Sequence, residues 1–154
     1  MTNRIVAYFS ASNVTKNVAE KIAKTIDADI FEIEPKEKYS SADLNWNDKN
    51  SRSSIEMNDR SSRPEIVSAL DATDYDEILI GFPVWWYTAP TIINTFIEAS
   101  NLDGKIVIPF CTSGGSGIGA CEDDLKKAYP EINWKKGLKL TSSTSDDKIR
   151  SWIE

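Results

Sequence analysis

Histidine is absent from all 154 residues. Its absence removes the commonest general base and metal ligand near neutral pH, and with it any Ser-His or Cys-His nucleophile pair. Chemistry performed by such a chain is expected to reside in a bound cofactor rather than in a proton-transferring side chain. Cysteine is scarce, with Cys111 and Cys121 alone and no Cys-x-x-Cys spacing. With no signal-like segment at the amino terminus, this usage fits a reducing compartment, and the expected location is cytoplasmic. No apolar run approaches the ~20 residues that span a bilayer. Basic residues are the minority, 18 Lys and Arg against 24 Asp and Glu, for a formal net charge of -6. Nucleic acid and anionic membrane are bound by clustered Lys and Arg, so neither is expected as a partner, whereas a basic protein surface is. A Gly-x-x-x-x-Gly-Lys-Ser/Thr run is also missing, which excludes the usual nucleoside-triphosphate loop.

What is present suits one domain over 1–154, long enough to close a core without disulfides or a structural metal. Arg4 to Phe9 is a short apolar run, followed by a polar turn and then Val14, Val18, Ile22 and Ile26 at intervals of four. Strand, turn and amphipathic helix are the reading, with those four residues on the buried face. Asp29 to Ile33 makes a second strand, hence a βαβ unit with parallel pairing. The polar stretch 36–64 keeps Leu44, Trp46, Ile55 and Met57 and reads as a poorly amphipathic helix between loops. Glu65 to Leu70 is expected to add a short turn of helix.

Further strands are expected at 77–82, at Lys105 to Cys111 and at Asn133 to Leu140, with helices from Pro90 as first helical residue to about Ala99, after residue 119, and after a Ser145-Asp146-Asp147 cap. Pro109 conflicts with a central strand and implies a bulge or an unpaired edge. Five strands alternating with helices define an α/β fold, an open parallel sheet of order 2-1-3-4-5 covered on both faces. Ligands bind such sheets at the carboxyl ends of the first, third and fourth strands, where the winding reverses.

The three unusual loops follow those three strands. The first, at 10–16, sets the hydroxyls of Ser10, Ser12 and Thr15 with Asn13, Val14 and Lys16 at a helix amino terminus, a nest suited to phosphate; simple capping by Ser12 or Asn13 reads equally well. Lys16 serves either a phosphate or solvent. The second loop, Pro83-Val84-Trp85-Trp86-Tyr87, places three adjacent rings that cannot all enter one core, so at least one is expected to face outward and to ask for a flat partner. The third, Thr112-Ser113-Gly114-Gly115-Ser116-Gly117, lets backbone approach a ligand edge. Gly115-x-Gly117-x-x-Ala120 superficially matches a dinucleotide fingerprint, but no acidic residue stands about 20 positions on, and a turn cluster is the better reading. Both cysteines are expected to be buried beside the fourth strand.

Together the loops provide a phosphate nest, an aromatic wall and a backbone-lined slot. SASNVT resembles the flavodoxin phosphate loop, and GFPVWWYTAP with CTSGGSGIG resembles a bacterial flavodoxin-like FMN-binding subgroup. The resemblance implies that Ser10, Ser12, Asn13, Val14, Thr15 and Lys16 surround the FMN phosphate. It further implies that Trp85, Trp86 and Tyr87 stack on the isoalloxazine, and that Thr112 to Gly117 meet its pyrimidine side. Two departures stand out: Asn13-Val14 replaces a frequent Gly-Asn, and positions 84–90 lack the glycine that eases a peptide flip beside the flavin.

The function so implied is electron transfer between redox partner proteins by an FMN-binding flavodoxin-type carrier, with the acidic surface steering a basic docking surface. Stacking and negative charge would both lower the flavin potential. A second reading is an NAD(P)H-dependent FMN quinone reductase, motivated by the missing loop glycine. A third is a cofactor-free interaction module with Trp85 and Trp86 as its hot spot.

Overall fold

The computed structural model describes residues 3–112 and 117–153. Its elements run β1 (Arg4–Tyr8), α1 (Val14–Ile26), β2 (Asp29–Glu32), α2 (Arg52–Asn58), β3 (Glu77–Pro83), α3 (Thr91–Ser100), β4 (Ile106–Thr112), α4 (Gly119–Ala128), β5 (Asn133–Trp134), β6 (Leu138–Lys139) and α5 (Asp146–Ile153). The sheet order is β2-β1-β3-β4-β5, with β6 also paired to β4. Each pairing is parallel.

Alternation along the strands divides the core in two. Ile5, Ala7 and Phe9 of the first strand segment, Ile78, Ile80 and Phe82 of β3, and Val107 and Cys111 of β4 pack with Ile92, Ile93, Phe96 and Ile97 of α3 and with Leu125 of α4. Val6 and Tyr8, Leu79, Ile108 and Phe110 point the other way and meet Val18, Ala19 and Ile22 of α1 and Ile149 and Ile153 of α5. Near-continuous apolar strands are what a sheet covered on both faces requires. Removing each fully buried Ile, Leu or Phe side chain from water contributes about 1.5–3 kcal/mol. At Gly81 the absent side chain makes room for the Phe110 ring, since a Cβ there would stand 2.0 Å from the ring tip.

Several expectations are corrected. Val14 is 53% exposed and Ile26 only partly buried, and the face of α1 against the sheet is Thr15, Val18, Ala19, Ile22 and Ala23. The four-residue spacing drifts around a helix of 3.6 residues per turn, which carries its first and last members off the stripe. Glu65 to Leu70 forms no helix. Instead Ile66 bridges Pro35 in antiparallel fashion, with the Lys36 N–H donating to Glu65 O and the Val67 N–H to Glu34 O. Pro90 sits one position earlier than expected, as the extended N-cap of α3.

The fifth strand is broken into β5 and β6, and Pro109 accounts for the break. Register against β3 runs through Pro109, which faces Ile80 with no bulge. On the other side, the carbonyls of Lys105, Val107 and Cys111 accept from Asn133, Lys135 and Leu140. Strand alternation therefore aims the missing donor of Pro109 at the gap between them. Gly137 fills that gap so closely that a Cβ would stand 2.4 Å from the Pro109 carbonyl.

Candidate functional site

Three chain segments meet at the carboxyl ends of β1, β3 and β4. Thr15, in the first turn of α1, shares a buried hydrogen bond with Thr112 at the end of β4, Oγ1 to Oγ1 at 2.8 Å. The Thr112 carbonyl accepts from the Val84 N–H at 3.1 Å, which binds the loop after β3 to the same point. Phe9, just past β1, meets the Trp85 ring edge-on at 5.6 Å.

The first loop presents an unusually open helix terminus. Asn13 is the N-cap of α1 but lies in the left-handed region at φ 68° and makes no capping hydrogen bond through its side chain. Asparagine adopts that conformation more readily than most residues, so it stands well where glycine is frequent. The capping alternative is therefore not realised by Asn13, and the first backbone N–H groups of a 13-residue helix keep no side-chain cap from it. Among the described residues Ser10 Oγ is buried with no hydrogen-bond partner, an unusual state for a hydroxyl. Ser12, Val14 and Lys16 are exposed, and Thr15 is buried with its hydroxyl committed to Thr112.

The second loop is a tight turn. The Trp85 N–H donates to Thr88 O at 2.9 Å and the Thr88 N–H to Trp85 O at 3.1 Å. Between them Trp86 (φ 48°) and Tyr87 (φ 66°) both occupy the left-handed region. Two positive φ values in succession are the signature of a type I′ turn, which favours Asn and Gly. Bulky residues there are strained by of order 1–3 kcal/mol each, and such strain gathers at functional sites. The conformation leaves Trp86 43% and Tyr87 75% exposed. Pro83, Val84 and Trp85 are partly buried.

Of the third loop, Thr112 is buried and Gly117 exposed. Ser113, Gly114, Gly115 and Ser116 lie outside the described residues. Beneath the site Cys121 Sγ lies 3.8 Å from the Tyr87 carbonyl. Burial pushes the Cys111 thiol up to about 11 and the Cys121 thiol up to about 12. Both cysteines are buried, as their sequence context implied.

Sequence reasoning missed the wall supplied by the crossover between β2 and β3. Tyr39 stacks edge-on against both Phe9 and Trp85, at 5.5 Å from each. The Arg52 guanidinium lies 3.8 Å over the Tyr39 ring and pairs with Glu56 at 2.9 Å, while the Tyr39 hydroxyl donates to Glu56. Burial, then the hydrogen bond to Glu56, raises the Tyr39 pKa far above the ordinary phenol range, so it remains protonated. Leu44, Trp46 and Ser53 face Val84 and the turn across a groove of about 390 Å³. The usable signal was the pair of aromatics, Tyr39 and Trp46, inside an otherwise polar stretch.

An open parallel sheet with its loops gathered at the reversal of winding defines a flavodoxin-like α/β protein. A family model described as flavodoxin matches residues 3–154. The chain belongs to the flavodoxin family. It is similar to crystal structures of proteins assigned as flavoproteins from Bacteroides eggerthii DSM 20697 (49% identity, 99% of this chain and 96% of that one, TM-score 0.96) and Bacteroides uniformis ATCC 8492 (49%, 99% and 97%, 0.93). A flavoprotein from Lactobacillus acidophilus NCFM, solved in complex with FMN, is 26% identical over the whole of both chains with a TM-score of 0.78. No curated protein matches.

Proposed function

We propose that this chain binds FMN at the junction of the three loops and carries electrons between redox partner proteins. The observation that supports this reading most is the convergence itself: Thr112 ties Thr15 and Val84 together beside a strained turn that holds two aromatic rings in solvent. The residues suit the cofactor. The uncapped amino end of α1, with Ser10, Ser12, Asn13 and Lys16, suits a phosphate through unpaired N–H groups and the helix dipole. Ser10 Oγ, buried and without a partner among the described residues, is a donor suited to an acceptor there. Trp85, Trp86 and Tyr87 suit the ring system; the family resemblance gives its polar edge to Thr112 to Gly117, of which Thr112 and Gly117 are described.

Bound FMN supplies reversible redox chemistry by one or two electrons. The chain's own part is to hold, orient and shield. No histidine is present, and the phenol of Tyr39 is held protonated, so neither offers a proton-transfer group near neutral pH. A net charge of -6 favours a basic docking surface on the partner and encounter rates that fall as salt is added.

One observation favours a second reading, an FMN-dependent NAD(P)H oxidoreductase: the groove beside the aromatic turn could admit a flat acceptor. The FMN-loaded protein mixed with NADH or NADPH separates the two. A carrier oxidises neither at a catalytic rate without a second protein, whereas sustained oxidation by the loaded protein alone establishes the reductase.

A further inference from the structure

Tyr39 touches both halves of the proposed site. Phe9 immediately precedes Ser10 of the first loop, Trp85 immediately precedes the strained pair Trp86 and Tyr87, and both seat their rings on Tyr39. The three rings close a triangle with centroids 5.5, 5.5 and 5.6 Å apart, every pair edge-to-face. Edge-to-face contacts favour particular angles, so each ring orients the other two. We propose that Tyr39 is a positioning residue that sets the spacing between the phosphate loop and the aromatic turn, so that one FMN meets both at once, an assignment that rests on FMN occupying those two places.

Tyr39 is itself held from outside both loops. The Arg52 guanidinium lies 3.8 Å over its ring. Arg52 is fixed in turn by Glu56 at 2.9 Å and by the Glu37 carbonyl at 2.7 Å, and Glu56 also accepts from the Tyr39 hydroxyl. The Arg52 and Glu56 side chains are only 21% and 12% exposed, which shields the pair from the screening that weakens surface ion pairs. The ring orientation is therefore set by α2 and the crossover before it, not by the loops it touches.

The loops need such a support. Asn13 gives α1 no side-chain cap, and two successive positive φ values persist in the turn only where the surroundings over-determine them. Phosphate and ring contacts reinforce each other when their seats are spaced before the ligand arrives, because the second contact then forms within one molecule at high effective concentration. Thr112 also joins these loops, through Thr15 and Val84, so replacing Tyr39 removes one tie and leaves the fold the other.

The test compares FMN with riboflavin, the same ring system without the phosphate, by fluorimetric titration of flavin-free protein. Tyr39→Leu should lower FMN affinity about tenfold and riboflavin affinity no more than about twofold, so that the ratio of the two falls about fivefold. Tyr39→Phe keeps the triangle and should keep the wild-type ratio. The pair Arg52→Met, Glu56→Gln removes the guanidinium without leaving a lone shielded charge, and should lower the ratio by less; it decides the matter if Tyr39→Leu does not fold. Equal losses for both flavins, or an unchanged ratio in the variant that decides, would overturn the proposal and reduce Tyr39 to packing, while FMN binding itself stands. A wild type that holds both flavins equally would overturn it too. A wild type that takes up neither flavin would overturn the proposed function, and this assignment with it.

Discussion

Thr15 and Thr112, 97 residues apart in sequence, share a single buried hydrogen bond of 2.8 Å that joins the start of α1 to the end of β4. Replacing one partner leaves the other hydroxyl buried and unpaired, which costs about 1–3 kcal/mol, whereas replacing both removes the orphan. Thr112→Val should therefore lower unfolding stability by that amount in a denaturant titration, and the Thr15→Val, Thr112→Val pair should recover much of it. Equal stability of the single variant and wild type would show that the contact contributes nothing.

The turn at Trp86 and Tyr87 should trade stability for function. Asn and Gly suit two successive left-handed positions, so Trp86→Asn with Tyr87→Gly should stabilise the fold by about 1–2 kcal/mol. The same change should weaken FMN binding at least about tenfold through lost stacking. Calorimetry and a flavin titration read the two effects separately. A destabilised double variant would mean that the rings stabilise the turn more than its backbone strains it.

Gly81→Ala places a methyl 2.0 Å from the Phe110 ring in the middle of the sheet. Overpacking of this kind costs about 1–3 kcal/mol or more. Shortening the ring by Phe110→Leu should restore part of the loss in the double variant, and thermal unfolding measures it.

The thiols of Cys111 and Cys121 are buried, and burial raises both well above neutrality. Reactivity follows the thiolate. A thiol-exchange reagent at about pH 8 should therefore label neither cysteine in the native protein and both after unfolding. Fast labelling of the native state would place Cys121 in solvent and contradict its position beneath Tyr87.

Glu98 accepts hydrogen bonds from Arg63 and from the Tyr129 hydroxyl, and the Arg63 bond, aided by Tyr129, holds its carboxyl below the ordinary value of 4.5. A carboxyl depressed in the folded state adds stability that is complete above the unfolded value and fades as pH falls through the lower folded one. Glu98 is nearly half exposed, which limits the contribution to a few tenths of a kcal/mol. Glu98→Gln should thus cost that little near neutrality and nothing at about pH 3. An equal cost at both values would assign the effect to packing.

Much of the fold was legible because strand and helix periods are local signals. The runs at Arg4 to Phe9, at 77–82 and at Lys105 to Cys111 are apolar on both faces, and the helices between them fix parallel pairing. Where the reading failed, a long-range contact decided the outcome. Glu65 to Leu70 has nothing against a helical turn locally, yet Val67 finds the Glu34 carbonyl across the crossover. Pro109 announced a fault in the sheet, but only pairing shows that the fault falls on the fifth strand and is filled by Gly137.

The site divides in the same way. The exposure of at least one ring of Trp85-Trp86-Tyr87 followed from their adjacency alone. The left-handed pair that achieves it did not, because neither Trp nor Tyr advertises positive φ. Nor could spacing reveal that Tyr39 and Trp46 cross from a polar stretch to flank the turn, since that depends on how the crossover folds back over β1 and β3.

Fluorimetric titration of FMN into flavin-free protein tests the central claim most directly. The account predicts equimolar uptake with quenching of flavin emission by the adjacent indoles, weakened when Trp86 is replaced by alanine. Flavin emission that stays unchanged as protein is added in excess would contradict it.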